Sequence, residues 1–305
     1  MTDQTVAVLP REIRAAARWG FRAAQQPAGY SDPASEMVIY NEAYHQRGIT
    51  NLHRQLLSFQ NQAITPLSLI HDDDALTILD SHNQSTLICG PPAIDLACAC
   101  AKQTGIYTVA VQNASFGFSL LEQLAERAAR RFLSCLIMFH RQEQYHTVLA
   151  LADEETFLIK SITTRLPSKT YLDLLDLIAQ QQALTANTVS DQLFLNTVTI
   201  SQRLLEPSDQ FLLFCLTPTM ISNQTAIIDT LDQTLAQMSE ENLLHTSTYL
   251  ADEQAARYEQ IQAAGMPVEA SLWGEIKRFG QGIFVPTSDR PKTTGKRSAP
   301  EEPDE

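Results

Sequence analysis

The sequence predicts an α/β protein with a helical N-terminal part, a mixed sheet with flanking helices, and a C-terminal α+β part on the same sheet. Three observations predict it. The opening residues are rich in helix formers and punctuated by glycine and proline. The stretch 75–139 alternates short apolar β-rich runs with amphipathic segments. From Tyr145 the chain continues with further strand-like and helix-like runs and no internal repeat. Four segments follow: 1–66 helical, 67–140 central α/β, 141–288 α+β, and an acidic tail over 289–305.

Pro10 is placed as a first-turn residue ahead of REIRAAARWGFRAAQ. Ala28-Gly29-Tyr30 breaks that helix, and Ser31 caps a second, with Pro33 in its first turn. Gly48 ends the second, a third runs from Asn51, and Ile64-Thr65-Pro66 turns the chain into the sheet. ALTILD and STLIC then read as strands joined by a polar loop at Ser81-His82-Asn83. Gly90-Pro91-Pro92 stops the second of them. AIDLACACAKQ forms a helix closed by Gly105. IYTVAVQ is a strand buried on both faces. LLEQLAERAARRF is an amphipathic helix whose Arg127, Arg130 and Arg131 favour its C-terminal dipole. LSCLIMFH is another buried strand. A hairpin around Asp153-Glu154-Glu155 follows, then a helix capped by Ser168, strands LFLNTVTIS and QFLLFCL, and helices over NQTAIIDTLDQTLAQM and ADEQAARYEQIQAA. A final helix, ASLWGEIKRF, runs into an extended segment, and RPKTTGKRSAPEEPDE should be disordered because it carries almost nothing to bury.

Composition narrows the function. The chain has 305 residues, 19% of them charged, with a formal net charge of -13. Such a surface repels phosphate backbones and argues against nucleic acid. No apolar run approaches the ~20 residues that cross a bilayer, and no secretory signal opens the chain, so the expected location is the cytoplasm. The five cysteines are odd in number and lack CxxC spacing, so they read as buried thiols rather than a zinc set.

Several stretches carry a resemblance. LPREIRAAARWGFRAA, HQRGITNLHRQL, STLICGPPAIDLACACA and SLWGEIKRFGQGIFVPTSDR are similar to a bacterial family of unknown function, domain-of-unknown-function family 3726, over most of the chain. More distantly, the N-terminal helices, the Arg47-Gly48 turn, the IYTVAVQN strand and the helix after it resemble the malate/L-lactate dehydrogenase family. That likeness implies an NAD(P)-dependent oxidoreductase of small 2-oxo or 2-hydroxy acids, not built on an ordinary Rossmann domain, and self-association as a homo-oligomer. The family places a His-Gly pair shortly after the Arg-Gly turn, the His serving as acid/base. Here the matching position is Leu52, and His53 stands one residue late. One residue turns a helical side chain by about 100°. A second His-Gly is expected after the VAVQN strand, where this chain has Phe116-Gly117.

The leading expectation is therefore a protein that binds a small anionic metabolite without those histidines. The alternatives are an oxidoreductase in which His53 becomes the catalytic acid/base, with NAD(P) as cofactor, and a non-catalytic subunit of a metabolic enzyme complex. Candidate ligand-binding residues are Arg47 in the turn, Asp95 in the first turn of an apolar helix, Asn113 and Ser115 after the central strand, and Arg290 near the tail. Ligands in open α/β sheets gather at the carboxyl ends of strands, and Arg matches carboxylates with two parallel bonds. His140 and His146 lack a visible third metal ligand. The run His71-Asp72-Asp73-Asp74 reads as a solvated loop, and Phe116-Gly117-Phe118 is not a nucleophile elbow.

Overall fold

A computed structural model describes residues 4–141, 144–153, 155–165, 210–221, 224–239 and 241–281. Ten strands and eight α-helices lie among them: β1 Thr5–Val8, α1 Pro10–Ala23, α2 Ser31–His45, α3 Gly48–Ser58, β2 Ser68–Asp72, β3 Leu76–Asp80, α4 Thr86–Thr104, β4 Ile106–Gln112, α5 Leu121–Ala129, β5 Ser134–Arg141, β6 Gln144–Ala152, β7 Phe157–Thr164, β8 Phe211–Leu216, α6 Gln224–Ala236, β9 Leu243–Leu250, α7 Ala251–Ala264, β10 Met266–Glu269 and α8 Ala270–Gln281. The mixed α/β architecture is the one expected. The helix from Ser168, the strand LFLNTVTIS, Arg290 and the tail lie outside the described residues.

The main sheet has eight strands in the order β2-β3-β4-β8-β5-β6-β7-β9. Only β3 and β4 are parallel. The remaining pairs are antiparallel, so the central run IYTVAVQ has one parallel and one antiparallel neighbour. These registers make β3, β4, β5 and β7 end on a common edge of the sheet. Alternation along each strand splits the core in two. On one face Val109, Val111, Ile137 and Leu213 meet the helical layer of α2, α4 and α5. On the other Ala110, Leu136, Leu212 and Phe214 meet Ile227, Leu231 and Leu235 of α6. Burying one such large apolar side chain contributes about 1.5–3 kcal/mol. The short pair β1–β10 and the packing of α8 on α1 and α3 tie the two ends of the described chain together.

Several local expectations are corrected. STLIC is not a strand: its Thr86-Leu87-Ile88-Cys89 forms the first turn of α4, and Ser81-His82-Asn83 leads from β3 into that helix instead of closing a hairpin. Ser85 is the extended residue before α4, and its carbonyl accepts from Ile88 and Cys89 N–H at 2.9 and 3.0 Å. Pro91 and Pro92 lie inside the helix, where each removes one backbone donor. Local β-propensity lost here to burial: Leu87, Ile88, Cys89, Ala93 and Ile94 all face the core. Gly48 opens α3 rather than ending α2, and the left-handed Gln46 (φ 54°) ends α2. β1, β2, β9 and β10 carried no clear strand signal. β2 is fully exposed and β9 alternates only weakly, as edge strands do.

Candidate functional site

The α2–α3 connection is built by a glycine. A Cβ at Gly48 would lie 1.9 Å from the Val38 carbonyl oxygen and 2.7 Å from the Glu42 amide nitrogen. No side chain fits there, and the close approach fixes the direction of the Arg47-Gly48 turn. Glu42 completes it: its carboxylate accepts the Ile49 N–H at 2.9 Å and so caps α3. Burial raises the Glu42 pKa, against the lowering effect of the Ile49 and Gly48 amides.

Downstream of this turn, Arg47, Thr50, Asn51 and Arg54 present one side of α3 to a cavity of about 620 Å³. That volume sits within the roughly 300–1,000 Å³ of small-molecule sites. Its second wall is the loop after β4, which supplies Gly117, Phe118 and Ser119. Gly117 takes φ 85°, the left-handed region where glycine carries no penalty. Asn41 Nδ2 donates to the Ser119 carbonyl at 2.7 Å, and Asn51 Nδ2 donates to Asn41 Oδ1 at 3.2 Å, which locks the loop to both helices. The floor is the common edge of the sheet: Phe139, His146, Val148, Ser161, Thr163 and, from β9, His245. Phe118 stacks on Phe139 (5.0 Å), and Phe139 on the His146 ring (4.3 Å). His146 Nδ1 and Thr163 Oγ1 are 2.9 Å apart.

Within this cavity His45 Nε2 lies 2.7 Å from Glu122 Oε2. Glu122 is buried at the start of α5. An imidazole held by a carboxylate has a fixed orientation and can take or give a proton at its other nitrogen. Arg47 and Arg54 supply positive charge to the same cavity. The arrangement suits a small anion whose chemistry involves one proton.

The candidate residues are distributed unevenly. Arg47 lines this cavity. His53 does not: Leu52 fills the core position, and the one-residue offset turns His53 toward α8, with Nε2 3.0 Å from Glu275 Oε2 and the ring near Phe279. Asp95 lies in the middle of α4, not its first turn, because the helix starts at Thr86. It accepts both Arg127 Nε and Nη2 at 2.9 Å and lies 2.7 Å from Arg131. Burial pushes its pKa up, but the two guanidiniums outweigh that and hold it below the usual range. Asn113 is a left-handed turn residue (φ 57°) whose Nδ2 donates to Asp80 at 3.0 Å, and the Ser115 N–H donates to the Gln84 carbonyl. Both sit on the expected edge of the sheet, yet the loop reaches the cavity only two residues later, at Gly117. The residues sequence reasoning passed over are Glu122, Arg54, His245 and His146 as a cavity residue. The period-2 run Gln144, His146, Val148 was the available signal; the contact of His45 with Glu122, 77 residues apart, left none.

No protein-family model and no curated protein matches the sequence. Solved structures do match in fold. Malate dehydrogenase from Entamoeba histolytica superposes with a TM-score of 0.61 at 10% identity, over 93% of this chain and 100% of that one. Sulfolactate dehydrogenase from Methanocaldococcus jannaschii gives 0.59 at 12% identity, over 91% and 97%. Delta1-piperideine-2-carboxylate reductase from Pseudomonas syringae gives 0.54 at 13%, over 90% and 100%. The fold is that of malate and lactate dehydrogenase-like proteins. Among the described residues no helix is long and apolar enough to cross a membrane, and no cluster of three metal-ligating side chains occurs.

Proposed function

We propose that the chain binds a small carboxylate of the 2-oxo or 2-hydroxy acid class in the Arg47 cavity, with His45 as the proton carrier. The observation that carries this reading is the His45–Glu122 pair in the cavity that Arg47 and Arg54 also line. A guanidinium offers paired N–H donors to a carboxylate. The imidazole, oriented by Glu122, would stand where a ketone or hydroxyl oxygen needs a proton donor or acceptor. Lactate, malate and oxaloacetate are the first probes. Calorimetry should show saturable binding of at least one, and Arg47→Ala should weaken it about tenfold or more, the effect of losing a charge-assisted hydrogen bond. Equal affinity in Arg47→Ala would remove this cavity from the reading.

The second reading is an NAD(P)-dependent oxidoreductase on the same acid, favoured by the dehydrogenase-like fold. The described residues fit the acid better than the dinucleotide. The N–H groups opening α3 already face Glu42, and Gly48 beside the cavity and Gly117 in its wall are packed against Val38 and Leu120 rather than left open to a pyrophosphate. When bound, the cofactor would supply hydride transfer; this chain's part would be to hold the acid at Arg47 and move the proton at His45. NADH and NADPH fluorescence titrations separate the two readings, since a pure binding protein leaves both unchanged. Self-association and a cytoplasmic location belong to the same proposal, and a monomer mass by light scattering would remove the first.

A further inference from the structure

A second and larger cavity, about 750 Å³, lies between α2, α5 and α7. Three of its four arginines are committed: Arg127 and Arg131 to Asp95, and Arg130 to Glu126. Two amide oxygens of its lining residues, Gln123 Oε1 and Gln254 Oε1, are unpaired, but both are sealed off from any occupant. The first cavity leaves over an acceptor that an occupant can reach. It belongs to Asn51, a lining residue on α3 that is only 6% exposed. Hydrogen-bond direction fixes how its amide lies. The Ser119 carbonyl can only accept, so Asn41 turns Nδ2 to it, at 2.7 Å. Asn41 Oδ1 then faces Asn51 and can also only accept, so Asn51 answers with its own Nδ2, at 3.2 Å. The same Nδ2 lies 3.4 Å from Ser119 Oγ. Asn51 Oδ1 is left over: among the described residues nothing donates to it, and it is not one of the orphaned atoms cut off from solvent.

An unpaired amide oxygen in so buried a place is costly, and an occupant that brings a donor removes the cost. The neighbours decide which donor. Arg47, Asn51 and Arg54 recur at the i, i+4, i+7 spacing of one helix face and line the same cavity. Neither guanidinium is spent on a carboxylate among the described residues, and Arg54 lies over the Phe116 ring at 5.5 Å. The pair draws a carboxylate to this face and repels an ammonium. The donor beside Asn51 must therefore be neutral. A 2-hydroxy acid carries a neutral O–H on the carbon next to its carboxylate, whereas a 2-oxo acid offers only another acceptor there. We propose that Asn51 selects the 2-hydroxy acid over the 2-oxo acid, its Oδ1 accepting from the 2-hydroxyl while Arg47 holds the carboxylate. The hydroxyl oxygen keeps its lone pairs for His45. This inference rests on the carboxylate reading of the cavity and narrows it.

Calorimetry on the full chain compares D- and L-lactate with pyruvate and with propionate, which lacks the C2 oxygen. The better lactate enantiomer should bind about tenfold or more tighter than either, because pyruvate and propionate leave Asn51 Oδ1 unpaired. Asn51→Leu, its folding checked by melting temperature, should bring lactate and pyruvate to within about twofold of each other. A residue that only held the loop in place would weaken both acids alike, so an unchanged ratio in this variant overturns the proposal. Asn41→Leu gives a second reading that leaves Asn51 in place: it frees Asn51 to turn Nδ2 into the cavity, and the preference should move toward pyruvate. The wild-type ratio needs no variant at all. If wild type binds lactate and pyruvate equally, and Arg47→Ala loses both, the selection falls while the carboxylate site stands. If no acid binds, the site itself falls and the selection with it.

Discussion

The two cavities share α2 and α5, yet they differ in which charges are already spoken for. The first, at the sheet edge, keeps Arg47 and Arg54 on one wall and fixes His45 with Glu122. The second, among helices, holds four arginines but spends three of them on Asp95 and Glu126, and the buried groups left unmet in its lining residues are amide oxygens. Counting cations would have pointed to the second as the anion site. Counting unmet hydrogen-bonding groups reverses that, because a paired guanidinium offers little while an orphaned acceptor demands a partner.

The largest blow to this contrast should come from Gly48→Ala. The added methyl meets main chain, which cannot step aside, so α2 and α3 must separate and the first cavity loses its wall. We expect a loss of about 3 kcal/mol or more by urea denaturation, and a loss under about 1 kcal/mol would show that the turn yields. Arg47→Ala comes next: about tenfold or more in carboxylate affinity with the melting temperature nearly unchanged, since Arg47 is exposed.

Glu42→Gln probes the buried support of the first cavity. The folded-state pKa of Glu42 is raised, so the native state holds its proton more tightly than the unfolded chain does. The wild type should then lose stability relative to Glu42→Gln as pH rises above the usual carboxylate range, and regain it on acidification. Urea midpoints of both proteins at pH 4 and pH 7 measure this, and a constant difference between them would sink the argument. The smallest effect belongs to Asp95→Asn. The Asp95 pKa is depressed, so its contribution is present above the unfolded pKa and fades as pH falls through the folded one. Its side chain is 42% exposed, and solvent screening limits the loss to about 1 kcal/mol or less. Ligand binding at the first cavity should not change; a large change there would tie the α4–α5 bridge to that site.

Sequence patterning carried the fold class, because the two faces of IYTVAVQ and QFLLFCL and the amphipathic stripe of LLEQLAERAARRF have no other way to be buried. The Arg47-Gly48 turn was legible as a break between two helices, but not that Gly48 opens the second of them or that its hydrogen stands against the Val38 carbonyl. The edge strands and the start of α4 were not, because exposed β2 has no pattern to read and the β-rich STLIC is overruled by its neighbours in space. Apart from Arg47, the candidate site was decided by tertiary structure. A single residue of helical offset sends His53 to Glu275 instead of Arg47, and no local signal brings His45 to Glu122 or Gln123 to Gln254. Burial periodicity is a property of neighbours along the chain; the pairing of donors with acceptors is a property of neighbours across it.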